Sequence, residues 1–337
     1  MPNRQADHPI YAALCAYERG RDMGAAGPRG FLIAPPWGLG EEYLGLKRAG
    51  AIPGLQGKHL FALWRARARG AVRLPSCAAG FQMKEDMTRL RAFYPARGLC
   101  AKIVDAAIPQ TRARIMAEIG NRRRVEALGT ITLPRLLAVG EYGDYIGITE
   151  EMLHGRRFSL TRDAGLFMGQ GLRELADTYR ATGLARKPLA AYYSAHLAQG
   201  LRHSHGKDRR AAAMAEILER AFAAGALADV ALCHNDLVPS NLCVAGGVLY
   251  FLDWDMSREG PVAADMLRPA LRYPHRPQAR KIADAVRAAL RGIVPEESDL
   301  LPVFTAALAQ SLLAAPHKSA ALLGLWADMA GPWGGRA

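Results

Sequence analysis

Long apolar runs are the first thing this sequence lacks. The opening MPNRQADHPIYAALC has no apolar core of signal-peptide length, and no later stretch is an uninterrupted apolar span of membrane length. The expectation is a cytoplasmic chain. Cysteine is scarce too: Cys15, Cys77, Cys100, Cys233 and Cys243 are odd in number and show no CxxC spacing. That argues against a disulfide framework or a zinc site and leaves reduced thiols as the default. Aromatic residues make up only 7% of the chain and no nucleic-acid-binding motif is present, so nucleic acid is disfavoured as a partner despite a net charge of +13. Acidic surplus is missing from both halves, with 22 Lys and Arg against 14 Asp and Glu up to Gly155, and 22 against 17 beyond it. Such a balance favours anionic substrates or anionic lipid headgroups and counts against a polycationic acceptor. No GxGxxG phosphate loop occurs.

What is present is a chain of 337 residues, half of them hydrophobic, long enough for two lobes with a sizeable core. Its most informative stretch is LCHNDLVPSNLCVAGGVLYFLDWD, Leu232 to Asp255. It reads as a polar loop, a strand from Leu242 to Ala245, a Gly246-Gly247 turn and a second strand from Val248 to Leu252. Two glycines supply the positive φ angles of a tight hairpin turn. The hairpin brings its outer ends together, with His234, Asp236 and Asn241 on one side and Asp253 and Asp255 on the other. Phosphoryl transfer needs that set: a carboxylate to orient a hydroxyl and take its proton, and oxygen ligands to hold Mg2+ on nucleotide phosphates. Asp236 suits the first role, Asn241 and Asp253 the second. The interval from Asp236 to Asn241 equals that of the kinase catalytic loop.

HNDLVPSN followed by LDWD resembles the aminoglycoside phosphotransferase and choline kinase-like family, the small-molecule branch of the protein-kinase-like fold. That resemblance covers about residues 231–267 most strongly. It implies an α+β, two-lobed protein-kinase-like fold, with a small β-rich N-lobe holding one long helix and a mostly helical C-lobe. It also implies ATP as co-substrate and Mg2+ as metal. GPVAADML, Gly260 to Leu267, is similar to the family's GDPxxDLA segment and puts Asp265 where an aspartate supports the catalytic loop. His234 is expected as a structural hydrogen-bonding residue, and the role of Asp255 is left between metal and water.

Upstream, LCAKIV (Leu99 to Val104) resembles the kinase VAIK strand. Strand alternation puts Cys100 and Lys102 on one face, so Lys102 is expected on the α- and β-phosphates with Cys100 beside the adenine. Pro109 to Leu128 reads as a helix stopped by Gly129, with Ile115, Glu118, Arg122 and Val125 on one stripe. Glu118 is the first choice as ion-pair partner of Lys102; Asn121 or Glu126 takes that place in a shifted register. TEEMLHG resembles the hinge between kinase lobes, where backbone groups of Glu151, Met152 and Leu153 would meet adenine.

The expected organisation is an N-terminal extension over 1–75 with no assigned function, an N-lobe over 76–150, a hinge over 151–155 and a C-lobe over 156–337. Within the extension, a helix beginning at Pro9 should end near Gly20, and Lys58 to Arg69 reads as a helix with a basic end. Leu189–Arg202, Arg210–Gly225, Gln278–Arg291 and Ser298–Ala315 read as C-lobe helices, with Glu296, Glu297 and Asp299 as first-turn acids of the last. The function expected is transfer of the γ-phosphate of Mg-ATP to a small-molecule hydroxyl. The alternatives are a lipopolysaccharide core kinase, working on an anionic glycolipid at the inner membrane face, and a non-catalytic kinase-like binding protein. The last would keep its role after Asp236→Asn, whereas a phosphotransferase would lose it.

Overall fold

A computed structural model describes residues 9–21, 32–33, 80–83, 88–94, 97–295 and 299–331. The basic stretch at 58–69, Cys77, Glu296 and Glu297 lie outside the described residues. In chain order the first elements are α1 (Pro9–Gly20), β1 (Leu32–Ile33), β2 (Gly80–Met83), β3 (Arg89–Tyr94), β4 (Leu99–Asp105) and α2 (Pro109–Leu128). They are followed by β5 (Leu136–Tyr142), β6 (Tyr145–Glu151) and β7 (Arg156–Arg157). Next come α3 (Leu160–Leu166), which runs through a π-helical turn into α4 (Leu172–Thr182), then β8 (Ala185–Pro188), α5 (His196–His205) and α6 (Arg209–Ala223). The strands β9 (Leu227–Cys233), β10 (Leu242–Ala245), β11 (Val248–Phe251) and β12 (Arg258–Pro261) precede α7 (Val262–Arg272) and α8 (Pro277–Arg291). Last are α9 (Leu300–Ala314) and α10 (Ser319–Ala330). The α+β class expected from the sequence is the class observed.

The chain divides into two units. The first comprises Met1–Arg123, Leu133–Arg157 and Cys243–Gly247. It contains a six-stranded sheet of order β1-β2-β3-β4-β6-β5, antiparallel except where β1 meets β2. Strand β4 shows why helices cover both faces. Ala101 and Ile103 point to one side, into a buried cluster with Ile10, Leu14 and Tyr17 of α1 and Leu90 and Ala92 of β3. Val104 joins the opposite cluster, with Ile115 and Ile119 of α2 and Ile146 and Ile148 of β6. Period-two alternation in the strand and a 3.6-residue stripe on each helix account for this layering. Helix α1, drawn from the segment with no assigned function, is therefore a layer of the first unit. Tyr17 Oη and Thr149 Oγ1 lie 2.9 Å apart, and Tyr94 donates its hydroxyl to Glu18 at 2.9 Å.

The second unit comprises Arg124–Thr132, Phe158–Leu242 and Val248–Ala337. Helices dominate it, and in α9 Pro302 through Ala309 are all buried. Beside the helices stands a three-stranded sheet in which β9 is flanked by β8 and β12, both antiparallel. No single helix among the described residues is long and apolar enough to cross a membrane.

Three local expectations need correction. Residues 189–202 are not one helix: a three-residue 3-10 turn at Leu189–Ala191 follows β8, and α5 starts only at His196. Leu189 N–H donates to Ala226 O, a fixed contact that ends the extended segment there. Thr132 to Val139 reads in sequence as a strand, but β5 begins only at Leu136, and Thr132 is held by Glu174 through both its amide and its hydroxyl. Asp299 is the N-cap of α9, not a first-turn residue, its Oδ1 accepting from Leu301 N–H at 3.0 Å.

Candidate active site

The candidate site residues fall into a group in each unit. In the first, Lys102 sits on β4 between Arg91 of β3 and Ile148 of β6. Its side chain is buried, and Nζ donates to Glu118 Oε1 at 2.8 Å and Oε2 at 2.7 Å. Of Glu118, Asn121 and Glu126, it is Glu118 that Lys102 meets. The stripe read from sequence is the buried one: Ile115, Glu118, Arg122 and Val125 are all at most 5% exposed. One turn beyond Glu118, Arg122 hydrogen-bonds Glu150 of β6 and the carbonyl of Pro134. Helix α2 is thus held to the sheet by two ion pairs of opposite polarity. Removing one member of a buried ion pair is far costlier than losing a surface pair.

The segment expected as a hinge is tied to the first unit by its backbone. Glu151 closes β6, and its amide donates to Arg135 O at 2.9 Å; the Met152 amide donates to Gly98 O at 2.7 Å. Leu153 is the first residue here whose amide makes no hydrogen bond among the described residues. Of the three expected adenine contacts, donation is therefore open only to Leu153, while Glu151 and Met152 spend their N–H groups on the fold. Cys100, half-buried on the Lys102 face, has its thiol pushed up to about 11 by burial. Cys243 of β10 packs against Gly155, where a Cβ would come within 2.8 Å of its sulfur.

In the second unit the loop after β9 is organised by Asp265 in the first turn of α7. This carboxylate is 2% exposed and accepts three hydrogen bonds: His234 N–H and Tyr179 Oη–H on Oδ2, at 2.8 and 2.9 Å, and Asn235 N–H on Oδ1 at 2.8 Å. Burial and the nearby Asp265 charge hold the Tyr179 phenol well above its ordinary value, so it remains a donor. Asn235 itself adopts φ +60°. Asparagine tolerates that left-handed region better than most side chains. Its own amide group donates to Arg258 O at 2.8 Å and Cys233 O at 3.3 Å. Gly260 makes room for it, since a Cβ there would fall 2.8 Å from Asn235 Oδ1.

His234 is fully buried, with its ring 4.7 Å from that of Trp254. Nε2 lies 2.7 Å from Leu252 O, and Nδ1 receives the Asp236 amide at 3.3 Å. A carbonyl only accepts and an amide N–H only donates, so the ring proton is on Nε2. With both nitrogens committed, His234 has the geometry of a loop strut.

Asn241 is 5% exposed, and its Nδ2 donates to both the backbone oxygen and Oδ2 of Asp236, each at 2.9 Å. Two acceptors fix which end of the amide is nitrogen. Asn241 Oδ1 and Asp236 Oδ1 are left without hydrogen bonds among the described residues. Leu252 N–H donates to Asn241 O at 2.9 Å, which places Asp253 at the next position along the chain. Asp253 has φ +57°, and Asp253 and Asn235 are the two non-glycine residues with positive φ among the described residues. Backbone strain of that kind concentrates where a side chain must be aimed. Asp255 follows on the short 3-10 turn Trp254–Met256. Among the described residues no three His, Cys, Asp or Glu side chains cluster as a metal cage. Mg2+ in phosphoryl-transfer sites needs no such cage, because one or two protein oxygens plus phosphates and water complete its shell. The oxygens of Asn241 and Asp253 fit that requirement.

Tyr179 and Gly260 escaped the sequence reading. Tyr179 carries no signal of its role, since it stands 86 residues from the carboxylate it supports. Gly260 was noticed only as part of a family segment.

The loop leaves a carboxylate oxygen of Asp236 and the amide oxygen of Asn241 without hydrogen bonds among the described residues, the groups that phosphoryl transfer would use. Residues 94–301 match the model of the phosphotransferase enzyme family. That match spans well over half of the chain, and the protein belongs to this family: it is a kinase with a hydroxyl group as acceptor. Among solved structures it is similar to a choline kinase from Streptococcus pneumoniae, at 14% identity and a TM-score of 0.42, covering 76% of this chain and 85% of that one. It is also similar to a glucosamine kinase, at 15% identity and TM-score 0.47, covering 82% and 85%. A thermostable aminoglycoside phosphotransferase mutant matches at 15% identity and TM-score 0.43, covering 73% and 91%. No curated protein sequence matches the chain. The assignment rests on the family model.

Proposed function

We propose that this protein transfers the γ-phosphate of Mg-ATP to a hydroxyl of a small molecule. The observation that carries the reading is the contact between Asp236 and Asn241, which engages one oxygen of the carboxylate and leaves its other oxygen and the amide oxygen open. Asp236 Oδ1 is assigned as the group that orients the acceptor hydroxyl and accepts its proton as the new P–O bond forms and the bond to ADP breaks. Asn241 Oδ1 and Asp253 are assigned as the protein ligands of Mg2+, which neutralises phosphate charge when bound. Lys102, fixed by Glu118, is assigned to the α- and β-phosphates, and the Leu153 amide to adenine. Asp265, Tyr179 and His234 hold the loop in place.

Thermal unfolding with ATP alone, Mg2+ alone and both together tests this, using the wild type, Asp253→Ala and Asp236→Asn. At about 100 times its dissociation constant, a ligand stabilises the native state by about 2.7 kcal/mol. The expected result is a shift that needs both components, is lost in Asp253→Ala and is kept in Asp236→Asn, which in turn gives no ADP in an acceptor screen. A folded wild type that shifts under no condition rules the reading out.

A further inference from the structure

The end of α7, the start of α8 and the start of α10 carry a concentration of positive charge that the catalytic reading does not use. From Arg268 to Arg291 there are seven Lys and Arg and a single acid, Asp284. Arg287 faces Asp284, and Arg280 faces Asp328 of α10 at 3.4 Å. Arg272, Arg276 and Lys281 are exposed and have no carboxylate partner among the described residues. Backbone contacts gather these charges. Arg276 N–H donates to Tyr273 O at 3.1 Å, and Lys318 Nζ, at the start of α10, donates to Arg272 O at 2.9 Å.

This arrangement runs against what local helix stability asks for. Helix N-termini carry positive partial charge and favour Asp, Ser or Thr as caps with acids in the first turn. Here α8 has Arg276 as N-cap and α10 has Lys318. Neither residue supplies a side-chain cap, and neither helix has an acid in its first turn. Lys318 has its pKa lowered by burial and by the Arg272 charge, the mark of like charges left together. A sequence that gives up stability at two neighbouring helix starts meets a requirement from outside the fold. Tyr273, 39% exposed on the same loop, adds an amphipathic ring.

We propose that Arg272, Tyr273, Arg276, Lys281 and Lys318 form a docking surface for the anionic headgroups of a membrane. Basic side chains on an exposed loop attract an anionic lipid surface, and a tyrosine ring suits the headgroup layer. One ring without interleaved aromatics is a poor platform for single-stranded nucleic acid. None of these five residues is assigned a part in phosphoryl transfer, and the proposal stands whether or not Mg-ATP is the phosphate donor.

The test is co-sedimentation of the full chain with vesicles of phosphatidylcholine alone or with one third phosphatidylglycerol, at low salt and at 0.15 M. The wild type is expected to bind only the phosphatidylglycerol vesicles, more weakly as salt rises. Each basic residue at an anionic surface contributes about fivefold, so Arg272→Gln/Arg276→Gln/Lys281→Gln should bind about a hundredfold more weakly. A control of equal charge change on the same unit, Lys207→Gln/Arg209→Gln/Arg220→Gln, should bind within about threefold of the wild type. The proposal is overturned by equal loss in both triples, by no preference for phosphatidylglycerol, by displacement with millimolar inorganic phosphate, or by tighter retention on duplex DNA than on vesicles.

Discussion

Lys102 and Glu118 are each 3% exposed, so their contact is an ion pair removed from water on both sides. The pair contributes little net stability against an apolar replacement, yet breaking it from one side is expensive. Two kinds of variant therefore separate its structural from its functional role. Glu118→Gln withdraws a bidentate carboxylate from a buried ammonium group and is expected to destabilise the protein by about 3 kcal/mol. Lys102→Met/Glu118→Leu removes both charges and should regain most of that loss in a urea titration, while Mg-ATP no longer shifts its unfolding. Recovery of nucleotide binding in the double variant would remove Lys102 from the phosphate site. Arg122 and Glu150 one turn away predict a stability effect of the same sign, since Arg122 is also buried.

Helix α1 shows what the sequence could and could not reveal about elements. Its boundaries were legible from Pro9 and Gly20, but its purpose was not, because its partners lie on strands 70 or more residues away. Leu14 is 1% exposed within the cluster that includes Leu90 and Ile103. Leu14→Ala is accordingly expected to cost about 2–5 kcal/mol, and Tyr17→Phe about 1 kcal/mol for the lost Thr149 contact. Denaturant unfolding checks both; a change under about 0.5 kcal/mol for Leu14→Ala would mean that α1 decorates the sheet instead of completing it. The loop around Asp236 was readable for the opposite reason: its turn glycines, its spacing and its acids are contiguous. Lys102 and Glu118 were readable from two periodicities that each expose one face. Strand β9 was not, because six of its seven residues are buried, so no polar alternation marks it. Without β9 and β12 in view, the need for Gly260 beside Asn235 could not be derived from spacing alone.

At the scale of the whole molecule, both units hide groups that ionise only at alkaline pH. Burial pushes the thiols of Cys100 and Cys243 up to about 11, and lifts Cys233 and Tyr179 well above their ordinary values. Tyr17, Tyr145 and Tyr193 are raised for the same first reason. Above pH 9 an unfolded chain releases protons that the folded chain still holds, so the unfolded state binds fewer protons and stability falls as pH rises. The contribution of each raised thiol is complete below about pH 9 and is lost through about pH 11. A shift of two units corresponds to roughly 3 kcal/mol per thiol. Stability by urea titration should therefore be flat from pH 7 to 8.5 and decline steeply from pH 9 to 11. Cys100→Ala/Cys243→Ala should start lower, for the lost packing, and decline less steeply. Equal slopes for the variant and the wild type would mean that these two thiols are open to water. In that case alkylation at pH 8 should be about a hundredfold faster than burial allows, because a thiol at its ordinary value near 9 holds that much more thiolate than one near 11.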